Sequence, residues 1–176
     1  MNKSWIANGF TAANALFGGL SIMMSISGEY HVAAICILFA MAADAFDGRV
    51  ARALGTAGPM GVELDSLSDD ISFGVAAGAL MYSYQLRELG ALGFIPCALL
   101  GAFCAFRLAR FNVKVTSVHG YFEGLPCPTV GVIIACYVLS GVKIWNWLAM
   151  VCVLVLAVLM VSEVHYPDFK GKGEKI

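Results

Sequence analysis

Charge is scarce in this chain. Asp, Glu, Lys and Arg make up only 13% of its 176 residues, against about 25% in soluble globular domains. That shortage excludes an ordinary water-soluble domain. Neither sign prevails, since the formal net charge is −1, so no basic face is available for nucleic acid. The six cysteines (Cys36, Cys97, Cys104, Cys127, Cys136 and Cys152) include no C-x-x-C pair and no His–Cys group at metal-ligand spacing. A zinc site or disulfide framework is excluded on that ground. Most of the thiols lie in apolar runs and read as small packing hydrophobes. No phosphate-binding glycine loop and no G-x-S-x-G elbow occurs. There is no internal repeat of the kind that inverted-repeat transporters carry, and no low-complexity tract.

Hydrophobic residues, at 60%, are abundant. They fall into six apolar segments, at Phe10–Ser27, His31–Arg52, Asp65–Tyr84, Leu89–Arg110, Pro128–Val142 and Ile144–Ser162. Helical spans need about 20 residues, and the short fifth segment allows a start nearer Phe122. The expected fold is therefore all-α: a polytopic membrane bundle of six transmembrane helices, forming one domain over residues 1–176. The first segment has a cleaved signal peptide as its other reading. Lys3 alone precedes it, its apolar run is long and five more spans follow, all of which disfavour cleavage.

Basic residues orient the bundle. With the N-terminus in the cytoplasm, Lys3, Arg49, Arg52, Arg107, Arg110, Lys114, Lys170, Lys172 and Lys175 are inside, and only Arg87 and Lys143 are outside. Tyr30, Tyr82, Tyr84, Trp145 and Trp147 then mark the outer interface. Trp5, Phe111, Tyr121 and Tyr166 mark the inner one. The expected location is the cytoplasmic membrane, with residues 1–9 and 163–176 as cytoplasmic ends. The one long loop, from Phe111 to about Cys127, also faces the cytoplasm, so the working face is expected there.

Acids concentrate at that face. The second segment ends AADAFDGRVARAL and the third begins ELDSLSDDISFG. An Asp at the centre of a span costs about 2.5–3.5 kcal/mol on insertion scales, so an intramembrane acid is a functional candidate by default. Asp44 and Asp47 are i,i+3, and Asp65 and Asp69 are i,i+4, so each pair shares a helix face. Consecutive antiparallel helices, expected to be joined by about a dozen residues, bring both pairs to one depth. Four carboxylates meeting there suit hard divalent cations, Mg2+ or Mn2+. Two such ions can clamp a phosphate for in-line displacement. Gly48 and Ala51 share the face of the first pair, and small side chains leave room for a ligand. Arg52 can reach a phosphate as a forked donor. Asp70 stands outside this pattern, either as a helix N-terminal charge or as a site residue.

The run Asp44-x2-Asp47-Gly48-x2-Ala51-Arg52-x8-Gly61-x3-Asp65-x3-Asp69 resembles the signature of the CDP-alcohol phosphatidyltransferases at all eight of its fixed positions. The resemblance implies a six-helix fold, usually in a homodimer. It implies Asp44, Asp47 and Asp65 as metal ligands, with Asp69 as general base and a possible further ligand. It implies Gly48 and Arg52, in company with Ala51 and Gly61, as contacts of the CDP-linked donor.

Further stretches resemble the phosphatidylserine synthase branch of that family: Thr11-x2-Asn14-x3-Gly18, Leu64 to Asp69 followed by Ser72-Phe73-Gly74, Arg107 to Asn112, and Phe122 to Pro126 followed by Pro128. Ser66 and Asp70 occupy places where the phosphatidylglycerophosphate synthases usually have Pro and Lys. The expected substrates are accordingly CDP-diacylglycerol and L-serine, giving phosphatidylserine and CMP. Thr11 and Asn14 are polar groups in an apolar helix, and either bind the nucleotide or bond to a neighbouring helix. Arg107 and Arg110 either anchor the inner interface or bind the serine carboxylate or donor phosphates, Arg107 being the deeper; Asn112 is a further candidate there. The loop from Phe122 to Pro128 is either a lid or a rigid turn. His31 and His119 read as interfacial and solvated, and the VHYPDF stretch has no derivable role. Rival readings are the same chemistry on glycerol phosphate or inositol phosphate, an ion or proton transporter, and a catalytically dead structural subunit.

Overall fold

The computed structural model describes residues 4–55, 58–115, 122–162 and 165–166. Apart from two short strands it is helical: α1 (Ser4–Ile26), α2 (Tyr30–Leu54), α3 (Pro59–Asp69), α4 (Ala76–Tyr84), α5 (Ala91–Val115), α6 (Cys127–Leu139) and α7 (Asn146–Val161). A π turn, Asp70–Val75, joins α3 to α4, so Pro59–Tyr84 is one continuous helical rod. Among the described residues, three helices, α1, α2 and α5, are long and apolar enough to cross a membrane. Large apolar side chains such as Leu16, Met23, Phe39, Phe94, Val151 and Val158 face outward, as lipid-facing surfaces require.

Local chemistry explains the breaks. Gly28, at φ +84°, ends α1. Its N–H bonds the Ser25 carbonyl at 3.3 Å while Glu29 N–H reaches the Met24 carbonyl at 2.9 Å, the paired bonds of a Schellman cap. Pro59 opens α3, where its missing N–H costs nothing.

Several sequence-based boundaries move. α1 begins at Ser4 rather than Phe10, because short polar residues such as Asn8 do not interrupt a helix whose neighbours pack against it. The third rod begins at Pro59 rather than Asp65, so the α2–α3 link is short, not a dozen residues. Asp70 is consequently inside a helical rod and not a helix N-terminal charge. α5 runs on to Val115, shortening the expected loop. α6 starts at Cys127, after Pro126 at its N-cap, and not near Phe122. Phe122–Glu123 instead pairs antiparallel with His165–Tyr166, which gives the VHYPDF stretch a structural role. His119 and most of residues 163–176 lie outside the described residues.

The third rod runs through the centre of the bundle, and small residues let it. A Cβ on Gly18 would come within 2.9 Å of Ser72 Cα, and one on Gly74 within 2.9 Å of Cys104 Cβ. One on Gly131 would meet Phe73 Cδ1 at 2.7 Å. The π turn therefore touches α1, α5 and α6 at once, with Phe73 fully buried between them. Elsewhere α1 lies along α2, α2 along α6, and α5 along α7.

Beyond α4, buried Gln85 ties the other end of the bundle. Its Nε2 donates to the Ile144 carbonyl at 2.5 Å and to Asn146 Oδ1 at 3.1 Å. The Tyr137 hydroxyl donates to Gln85 Oε1, and Asn146 Nδ2 donates to Glu88 Oε2 at 2.6 Å.

Candidate active site

The C-terminal half of α2 carries Asp44 and Asp47, and α3 carries Asp65 and Asp69. Their i,i+3 and i,i+4 spacings turn both pairs toward the α1–α2–α3 junction. One oxygen from each of Asp44, Asp47 and Asp65 lies within 4.8 Å of the others. Asp47 and Asp69 are buried, while Asp44 and Asp65 are partly so. Asp47 accepts from the Thr11 hydroxyl and from the Gly48 backbone N–H. Even so, Asp47 Oδ2 and Asp65 Oδ1 are buried with no hydrogen-bond partner among the described residues. Uncompensated carboxylate oxygens are costly in such surroundings. An oxygen-seeking divalent cation would satisfy both, so the residues present fit a hard metal.

Asp69 stands just outside this group of three, next to Asp44, with which it shares a hydrogen bond. Its Oδ1 accepts from Asn14 Nδ2 at 3.0 Å. Thr11 and Asn14 thus both make interhelical bonds, although Asn14 Oδ1 is buried with no partner among the described residues. The Ser72 hydroxyl donates to the Asn14 backbone carbonyl at 2.9 Å. Sequence reasoning assigned Ser72 no role, because its geometry depends on the π turn.

The glycines and cations divide. Gly48 is exposed beside Asp47. Among the described residues, a Cβ on Gly61 would meet only Asn8 Oδ1, at 3.9 Å. Ala51 and Arg52 lie on α2, but their side chains are outside the described residues. Arg107 is partly buried, with Nη1 3.7 Å from Cys127 Sγ, and its Nε is buried without a partner among the described residues. Cys127 and Cys104, both free thiols, share a hydrogen bond, and Cys104 is hydrogen-bonded in turn to Asp70. Beyond packing, these two thiols thus link the arginine to Asp70, a carboxylate outside the group of four. Arg110 is partly buried near the end of α5. Asn112 Nδ2 donates to Ser66 Oγ at 3.0 Å, tying α5 to α3. Gly124, at φ +73°, passes tightly against the Met160 carbonyl, and Leu125 N–H bonds the Leu159 carbonyl at 3.1 Å. The approach to α6 is held as a turn against α7.

The chain is similar to known proteins over most of its length. A family model described as CDP-alcohol phosphatidyltransferase matches residues 4–160. A CDP-diacylglycerol–serine O-phosphatidyltransferase of Helicobacter pylori is 36% identical over 170 residues, covering 93% of this chain and 72% of the relative. One of Bacillus subtilis is 35% identical over 161 residues, covering 91% and 88%. An archaetidylserine synthase of Methanothermobacter thermautotrophicus is 37% identical over 163 residues, covering 91% and 68%.

Proposed function

Because this chain belongs to the CDP-alcohol phosphatidyltransferase family, we propose that it transfers the phosphatidyl group of CDP-diacylglycerol to the hydroxyl of L-serine, giving phosphatidylserine and CMP. The observation that carries the proposal is the convergence of Asp44, Asp47 and Asp65 from two helices within 4.8 Å. The choice of serine rests on the names of the relatives.

The donor's tails lie among lipids and its CDP head enters between α1, α2 and α3. Gly48, Ala51 and Gly61 give it room, and Thr11 and Arg52 supply polar contacts. Asp44, Asp47 and Asp65, with Asp69 at their edge, would hold two divalent cations, Mg2+ or Mn2+. Such ions, when bound, neutralise charge on the pyrophosphate and on the departing CMP. Asp69 takes the proton from the serine hydroxyl. The serine oxygen then bonds to the phosphorus next to the lipid, and the bond from that phosphorus to the CMP oxygen breaks. A positioned base contributes about 10²–10⁴-fold. Arg107 faces the serine carboxylate, with Arg110 and Asn112 nearby on the same helix.

The six helical rods are six membrane spans in this reading. Both termini and the acids face the cytoplasm, the protein sits in the cytoplasmic membrane, and it works as a homodimer. The archaetidylserine relative favours a second reading in one respect, an ether-linked lipid on the donor with the same acceptor. The test is incubation of purified protein with CDP-diacylglycerol or its ether analogue, Mg2+ or Mn2+, and labelled serine, followed by lipid extraction. Glycerol phosphate and inositol phosphate serve as competing acceptors. Label in the lipid from serine alone is expected; CMP release only with a phosphorylated acceptor would overturn serine.

A further inference from the structure

We infer that Asn14 is a positioning residue for the Asp69 base, an inference that rests on the transferase reading above. Asn14 is fully buried in an apolar helix, where an amide is costly unless it is paired. Of its two polar atoms, only the nitrogen can donate to a carboxylate. The 3.0 Å bond to Asp69 Oδ1 therefore sets which way the amide faces.

The third rod holds the same residue a second time, through its backbone. Ser72 donates to the Asn14 carbonyl at 2.9 Å, and Gly18, one turn along α1, lets Ser72 approach that closely. Asp69 is the last residue of α3 and Ser72 lies inside the π turn that follows. Asn14 is thus clamped across the point where the helix changes pitch, a feature common at functional sites.

The consequence is chemical. A carboxylate beside three others that gather a cation is drawn toward the same ion. A base must instead keep an oxygen open to the acceptor hydroxyl. With Oδ1 engaged by Asn14, Asp69 is held at the edge of the group formed by Asp44, Asp47 and Asp65, beside Asp44. Asn14 acts on the reaction through Asp69, rather than by gripping the nucleotide with the nitrogen that Asp69 already occupies.

The test measures CMP release by the full-length protein in mixed micelles, with donor concentration varied at saturating serine and Mn2+. Asn14→Ala removes the donor, and Asn14→Asp removes it while keeping the shape. Both are expected to lower kcat by about 10²-fold, the scale of a misplaced catalytic group, while the donor KM moves less than about twofold. A rise in donor KM that exceeds the fall in kcat would overturn the inference in favour of nucleotide binding. An unchanged kcat would overturn it outright. Should neither variant accumulate as folded protein, Ser72→Ala decides. It leaves the amide in place but frees its backbone anchor, so a several-fold lower kcat at unchanged donor KM is expected. Wild-type kcat in that variant counts against positioning. Failure of the unaltered protein to release CMP would strike the transferase reading itself, so the two failures are distinguishable.

Discussion

Asp47 and Asp65 stand on different helices, yet each brings a carboxylate oxygen within 4.8 Å of the other and of Asp44. Each also keeps a buried oxygen unpartnered among the described residues. Such an arrangement fits a hard divalent cation. Chelation with EDTA is expected to abolish CMP release, and added Mg2+ or Mn2+ to restore it. Asp47→Asn and Asp65→Asn should each lower kcat by at least about 10²-fold, the scale of losing one electrostatic stabiliser. They should also weaken Mn2+ binding measured by spin-resonance titration. Mn2+ affinity unchanged in both variants would remove the metal reading.

The role of Asp69 has its own signature. Asp69→Asn keeps the side chain's shape and its place beside Asn14. The variant is expected to fold, to elute from size exclusion like the parent and to bind donor, while turnover falls by about 10²–10⁴-fold. Near-normal kcat would assign the proton transfer to another group.

Arg107 separates acceptor from donor. Its Nε is buried without a partner among the described residues, and a hydrogen bond to a charged group is worth about 1.5–3 kcal/mol. Arg107→Ala should raise the serine KM by about 10–10²-fold, as that energy implies, with the donor KM little changed. Equal shifts in both constants would point to a general structural role.

Packing at the π turn is open to a direct trial. A methyl group on Gly18 has nowhere to go, with Ser72 Cα at 2.9 Å. Gly18→Ala should cost about 1–3 kcal/mol through overpacking, seen as a lower unfolding midpoint in detergent. Activity should fall as well, because Ser72 and Asn14 move with that contact.

Gln85 provides the contrast. Gln85→Leu breaks bonds to Ile144, Asn146 and Tyr137 at the other end of the bundle. Leaving such groups unpaired costs about 1–3 kcal/mol, so the unfolding midpoint should drop. CMP release per folded molecule should stay close to that of the parent. A large loss of kcat there would mean that the two ends are coupled.

Much of this is legible in the amino-acid sequence alone. Helix periodicity alone aligns Asp44 with Asp47 and Asp65 with Asp69, since residues three or four apart share a face whatever the tertiary context. The apolar runs dictate helices because lipid leaves backbone groups no other partners. Their boundaries were less legible. Whether the third rod began at Asp65 or at Pro59 depended on what its first turns packed against. So did the pairing of Phe122–Glu123 with His165–Tyr166.

What the sequence determined by itself, then, was the membrane class, the helical spacing of the acids and the family signature, all of which are local properties of the chain. Only the tertiary structure decided that Asn14 meets Asp69, that Ser72 anchors Asn14 and that the Cys104–Cys127 pair links Arg107 to Asp70. Those contacts join residues distant in sequence, and they depend on a π turn and on glycine approaches measured in tenths of an ångström. No local pattern in the chain encodes distances of that kind.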